Sequence, residues 1–145
     1  MSGVLRISEA ANLGLHAMVY LAGIEKDRMI PVSQIADALG VSRDHLGKVL
    51  QRLNRLGLAT SHKGPGGGFA LQSWQRETSL LEIVEAIDGP LGRTSCMLTS
   101  RACSNGSCLM GGLLDTLYQQ VHDYLAAKKL SSLGHTFTNA PAKAE

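Results

Sequence analysis

Cys96, Cys103 and Cys108 are the only cysteines in the 145-residue chain, and they fall within thirteen residues. Thiolates are soft ligands that suit iron–sulfur clusters and zinc. The spacing CxxxxxxCxxxxC lies in a stretch rich in Ser, Gly, Asn and Thr, whose backbone can turn several side chains toward one centre. Three thiolates are one ligand short of a closed four-ligand site. The sequence lacks the CxxC pair of a zinc ribbon or a dithiol-exchange motif, which disfavours both. Three readings stay open on this chemistry: an iron–sulfur cluster, a cluster-free thiol switch, and structural cysteines. The last fits worst, because free cysteines favour buried apolar sites and these stand in a polar loop.

A second kind of chemistry is concentrated upstream. The net charge of +2 conceals a basic run, Arg43, Lys48, Arg52, Arg55 and Lys63 against Asp44 alone, followed by an acidic one, Glu77, Glu82, Glu85 and Asp88. One surface is thus suited to a polyanion. Within the basic run, Leu46, Val49, Leu50, Leu53 and Leu56 recur at helical spacing, and Ser42 is a good N-cap. The opposite face carries Arg43, His45, Lys48, Gln51, Arg52 and Arg55.

The elements around these residues follow from pattern and caps. Ser8 caps a first, largely buried helix of about four turns that ends before Lys26. Ser33 is expected to cap a short second helix to Leu39, which Gly40 stops in the left-handed conformation. Together with the helix from Ser42 this is a helix-turn-helix. Leu58 to Ser61 and Phe69 to Leu71 read as two short strands joined by His62-Lys63-Gly64-Pro65-Gly66-Gly67-Gly68, a hairpin with a glycine-rich tip, or wing. Thr78 or Ser79 caps a helix from Leu80 to Ile87. Beyond the cysteines, Leu113, Leu114, Leu117, Tyr118, Val121, Tyr124 and Leu125 mark a last amphipathic helix that could pack on a partner helix.

The GPGGG tip is not a phosphate loop, since GxxxxGK[ST] and its following helix are missing. Nor do the histidines form a nucleophile–base set: His45 and His62 lie in the basic segment and His135 in the tail, so an enzyme is not expected. The chain is long enough to bury a core without disulfides. The N-terminal MSGVLRISEA has no apolar signal core, and no run approaches the ~18 apolar residues of a membrane helix. A cytoplasmic protein with reduced thiols and no membrane partner is the expectation.

Taken in order, Leu5-Arg6-Ile7-Ser8, Gly40-Val41-Ser42, Leu53-Asn54-Arg55-Leu56-Gly57-Leu58, Lys63-Gly64-Pro65-Gly66-Gly67-Gly68-Phe69, Leu81 to Gly89 and the three-cysteine loop resemble the IscR/NsrR-type (Rrf family) winged-helix transcriptional regulators, over about residues 5 to 133. The resemblance implies a mainly α fold with a small β-hairpin: a winged helix-turn-helix over 1–90, a cysteine loop over 91–110, a long dimerisation helix over 111–130 and a flexible tail over 131–145. It also implies a homodimer on a palindromic double-stranded DNA operator, controlled by a [2Fe-2S] or [4Fe-4S] cluster on Cys96, Cys103 and Cys108. The candidate DNA contacts are Ser33, Ser42, Arg43, His45, Lys48, Gln51, Arg52, Lys63, Gly64 and Gly66.

The fourth ligand departs from the pattern. Where relatives place a histidine three residues after the third cysteine this chain has Gly111, and where others use a carboxylate on the first helix of the partner subunit it has Asn12. His16, and after it Glu9, are the substitutes that the resemblance leaves, although a lone histidine on an apolar helix can also be a hydrogen-bonded core residue. A thiol redox switch, and behind it a cluster carrier, are the competing functions.

Overall fold

Ser8 ends the N-terminal segment by capping the first helix. Its Oγ accepts the Ala11 N–H at 3.0 Å, and α1 then runs Glu9–Ala22. The computed structural model describes residues 5–93 and 109–137. Ala11, Leu13, Ala17, Met18 and Leu21 of α1 are buried, which makes this helix the pillar against which the others pack.

Helix α2 spans Val32–Leu39, and Gly40 ends it at φ 69° and ψ 38°, a left-handed conformation that costs a glycine little. The chain turns at once into α3, Arg43–Arg55, where Ser42 Oγ accepts the His45 N–H at 3.3 Å. Leu46, Val49, Leu50 and Leu53 bury one stripe of α3, each such side chain contributing about 1.5–3 kcal/mol when fully buried. Strands β1, Thr60–His62, and β2, Gly68–Ala70, pair antiparallel with Thr60 opposite Ala70 and His62 opposite Gly68. Ile30 adds a further rung, exchanging two 2.9 Å hydrogen bonds with Phe69, so β2 is held on both edges.

A short 3-10 turn, Gln75–Glu77, leads to α4, Leu80–Asp88. Here Ser79 Oγ accepts the Glu82 N–H while the Glu82 carboxylate accepts the Ser79 N–H, a reciprocal cap. Helix α5, Leu113–Ala127, lies on α4 through a second apolar cluster of Leu81, Val84, Leu91 and Leu125. Among the described residues no helix is long and apolar enough to cross a membrane.

The winged-helix class matches the expectation, and three local readings are corrected. Ser33 does not cap α2: the helix starts two residues earlier than that cap implies, at Val32, with Pro31 at the cap position at φ −62° and ψ 147°, where its fixed φ and missing N–H suit an extended lead-in. Strand β1 starts two residues later than expected and ends one later, because Gly57 turns at φ 81° just past the α3 C-cap Leu56, and Leu58 and Ala59 complete the crossing to the wing. The tail is not loose throughout. Residues Leu130–Leu133 form α6 and Gly134–Thr136 a 3-10 turn, both packed on α1, with Leu130 buried and Leu133 and Phe137 against the core. Leu130 N–H to Thr78 O and Leu80 N–H to Lys128 O, both at 3.0 Å, fasten this return to the start of α4. The expected tail from residue 138 onward lies outside the described residues.

Candidate nucleic-acid interface

With one stripe of α3 buried, the residues of its other side are left in solvent. Arg43, His45, Lys48, Gln51, Arg52 and Arg55 are all exposed, as is Ser42 at the helix start. Ser33 and Val32 of α2 line a shallow groove together with Arg43, Asp44, Gly47, Lys48, Gln51 and Arg55, so the expected readers from both helices share one surface. Arg43 approaches Asp37 of α2 at 3.6 Å. Both side chains are well exposed, so this pair contributes only about 0–1 kcal/mol and a phosphate or base edge can displace it. Arg52 and Arg55 also stand in the last turn of α3, where a cation opposes the helix dipole whether or not DNA is present.

At the wing, Lys63, Gly64, Pro65 and Gly66 are exposed, and Gly67 N–H closes on Gly64 O at 2.9 Å. A tight, cationic tip with accessible backbone amides is chemically equipped to follow a sugar–phosphate backbone, while the side chains of α3 present donors for base edges.

The three cysteines, Cys96, Cys103 and Cys108, lie outside the described residues, but the two stems of their loop do not. Leu91 is buried in the α4–α5 cluster and its N–H donates to Glu85 Oε2 at 3.1 Å. Arg93, three residues before Cys96, donates Nε to Asp115 Oδ1 at 2.8 Å, with Nη2 at 2.6 Å from the same oxygen, and lies over the Tyr118 ring at 5.4 Å. The Asp115 hydrogen bond, followed by its charge, pushes the Arg93 pKa further up. The described residue that precedes 94–108 is therefore clasped to the first turn of α5.

Glu9, Asn12 and His16 are all exposed on α1, so His16 is not a core residue. Its Nδ1 lies 2.7 Å from Asn12 O. A carbonyl only accepts, so in the neutral ring Nδ1 carries the proton and Nε2 keeps a lone pair. That is the tautomer of a metal-binding histidine whose second nitrogen is held by a backbone carbonyl. Glu9 and His16 stand two turns apart, about 10 Å along the axis, which makes them alternatives for one ligand position rather than a pair. Among the described residues no three His, Cys, Asp or Glu side chains come together.

Helix α5 has a second apolar face. Leu114 and Leu125 turn inward, whereas Leu113 and Tyr124 are exposed and Leu117 and Val121 half-buried, at spacings of four, four and three residues. Leu5, Leu91, Gly92, Leu117, Tyr118 and Val121 line an almost wholly apolar groove along it.

Sequence reasoning missed two residues that hold this surface together. Gln75 is 2% exposed and hydrogen-bonded to Gly57, Thr60 and Gln72, and Arg76 donates to Ala22 O at 2.6 Å and Ile24 O at 2.9 Å beyond the end of α1. A polar QSWQRE stretch reads as a loop, and nothing in its types signals inward side chains.

The Rrf2 family profile, described as "Iron-dependent Transcriptional regulator", matches residues 7–136. Among curated proteins, an HTH-type transcriptional regulator of Aquifex aeolicus is 28% identical over 129 residues, covering 87% of this chain and 89% of that protein. Another from Azotobacter vinelandii is 28% identical over 130 residues, covering 89% and 79%. Among solved structures, CymR, the global cysteine regulator of B. subtilis, superposes with a TM-score of 0.74 at 22% identity over 91% of this chain and 98% of that one. T. potens IscR gives 0.69 at 19% identity, over 97% and 94%. Both structures support the fold.

Proposed function

The chain belongs to the Rrf2 family of transcriptional regulators, DNA-binding proteins that are not enzymes, and from that premise we propose a cytoplasmic homodimer whose operator binding is set by an iron–sulfur cluster on Cys96, Cys103 and Cys108. The observation that carries this reading is the clasp at the loop stems. In sequence the cysteines follow Leu91, which is pinned to α4, and Arg93, which is pinned to α5, and they precede α5 itself. A change of loop shape acts on those two helices before any other part of the fold.

The donor set suits the group. Three thiolates match a cluster's preference for soft ligands, and His16 offers Nε2 in the tautomer that a metal requires, as a ligand from the partner subunit with Glu9 as its substitute. When bound, the cluster supplies a centre that responds to oxidants or nitric oxide. The protein's own part is mechanical. Cys96, Cys103 and Cys108 would hold the cluster, and through Leu91 on α4 and Arg93 on α5 a change at that site would be passed to the two helices and so to the spacing of the recognition helices. Two-fold operators are sensitive to that spacing, because their half-sites recur at about 34 Å. The Leu113, Leu117, Val121 and Tyr124 face supports α5 as the helix that pairs in the dimer.

A second reading rests on the same three cysteines, acting as a cluster-free thiol switch through sulfenic acid or disulfide formation. One experiment separates the two. Protein purified without oxygen is assayed for visible absorbance, iron and sulfide, beside Cys103→Ala and His16→Ala. The cluster reading expects a coloured protein that loses iron and sulfide in Cys103→Ala and holds them less firmly in His16→Ala. A colourless, iron-free preparation whose DNA binding responds to peroxide establishes the thiol switch instead.

A further inference from the structure

We propose that Gln75 is a positioning residue that locks the wing to the recognition helix, so that both engage one DNA duplex together. Its side chain is 2% exposed, and both ends of the amide are used. Nε2 donates to Gly57 O at 3.0 Å, while Oε1 accepts the Thr60 hydroxyl at 3.0 Å and the Gln72 N–H at 2.8 Å. Gly57 stands two residues past α3, Thr60 opens β1, and Gln72 stands two residues past β2. One buried amide therefore joins the chain where it leaves the reader helix, where it enters the wing and where it comes out again.

The neighbouring side chain fixes this bracket to the core. Arg76 caps the carbonyls of Ala22 and Ile24, so the turn cannot slide relative to α1. A buried amide deprived of its partners is costly, and among the described residues no buried side-chain N or O atom lacks one. The consequence for binding is a linkage effect. Once α3 is docked, a wing held at a fixed angle meets the backbone at high effective concentration, whereas a wing free to swing must be ordered at each encounter. Lys63 thus depends on Gln75, although the two side chains do different things.

This inference rests on the wing as a DNA contact and is independent of the cluster. The test uses anaerobically purified full chain and a fluorescein-labelled duplex of random sequence, because phosphate contacts need no operator, with anisotropy measured against KCl concentration. In the otherwise native protein, Lys63→Ala lowers the salt slope by about 0.9, which at about 0.1 M salt is a roughly eightfold loss of affinity. In a Gln75→Met background the same change costs less than about twofold, because the contact is already forfeited. Thr60→Val, which removes one of the three bonds and keeps the shape, gives an intermediate dependence. If Gln75→Met does not fold, as judged by circular dichroism, Thr60→Val carries the comparison alone. Trp74, the single tryptophan of the chain, is 67% exposed beside the bracket; its emission changes in Gln75→Met and stays native in Lys63→Ala. No effect of Lys63→Ala in the native background overturns the wing as a DNA contact and the bracket with it. A full Lys63→Ala effect that persists in both bracket variants overturns the bracket alone.

Discussion

Gly68→Ala should detach the wing from the body of the domain. Gly68 opens β2 at φ 145°, and a Cβ there would lie 2.2 Å from Ile30 O and 2.7 Å from Pro31 N. Both neighbours are backbone atoms, so no side-chain rotation relieves the overlap. Ordinary contact requires β2 to withdraw by more than about 1 Å. That movement stretches the pair of 2.9 Å bonds between Ile30 and Phe69 beyond hydrogen-bonding range. Two such bonds are worth about 1 kcal/mol each, and an L side chain at this φ adds about 1–3 kcal/mol, for a total of about 3 kcal/mol or more. For a chain of this length the melting temperature then falls by about 10 °C. Gly66→Ala is the control: its φ is 75° but nothing lies within 4 Å of the added carbon. That change bears only the backbone strain, about 1 kcal/mol or about 3 °C. Thermal melts of the two variants by circular dichroism decide the matter. Equal melting temperatures would refute the view that backbone proximity to Ile30, rather than the tip's conformation, makes glycine necessary in β2.

On an operator selected from a random pool, Arg43→Ala or His45→Ala should lose about 1–3 kcal/mol of discrimination at one base position if its side chain reads a base edge; an unchanged selected sequence excludes that contact. Ser79→Ala removes half of the reciprocal cap of α4 and should cost about 1 kcal/mol, seen as a drop of about 3 °C in the melt; an unshifted melt would mean that the cap is redundant with the Lys128–Leu80 bond. DNA binding should show no step between about pH 6 and 9 that comes from Arg93 or Asp123. Arg93 is raised, so its contribution is complete at all lower pH and lost only in strong alkali. Asp123 is lowered by hydrogen bonds from His122 and then Gln119, so its contribution holds above the ordinary carboxylate range and is lost only in acid. A binding transition near neutrality that Asp115→Asn abolishes would contradict this assignment.

Much of the reader was legible because its signals are local. Ser8, Ser42 and Ser79 sit at cap positions that their side chains complete within three residues, and Gly40 marks a turn by its own conformation. Ser33 misled because Pro31, two residues earlier, offers a stronger reason for the helix to begin. Gln75 and Arg76 were illegible for a different reason. Their partners lie 18 and 54 residues back in the chain, and a polar side chain that turns inward leaves no periodicity. The tail failed likewise: Leu130, Leu133 and Phe137 are too few and too spread to mark a helix, yet each meets an α1 surface already formed.

His16 gains its meaning from that same long-range packing. Phe137 from the C-terminal turn stands 6.4 Å from the His16 ring and 6.2 Å from Tyr20, centroid to centroid, while Asn12 O holds Nδ1. The ring is thus oriented from two sides without being buried, and Nε2 is the nitrogen left for a ligand. Glu9, by contrast, lies in the first turn of α1, where a carboxylate is favourable against the helix dipole with no metal present. The helix dipole is a sufficient reason for a carboxylate at Glu9, whereas the contacts that orient the His16 ring leave its Nε2 unused. That difference favours His16 over Glu9 as the candidate fourth ligand of the proposed cluster. It also sets the order of experiments: His16→Ala should weaken iron retention, and Glu9→Gln should leave it unchanged.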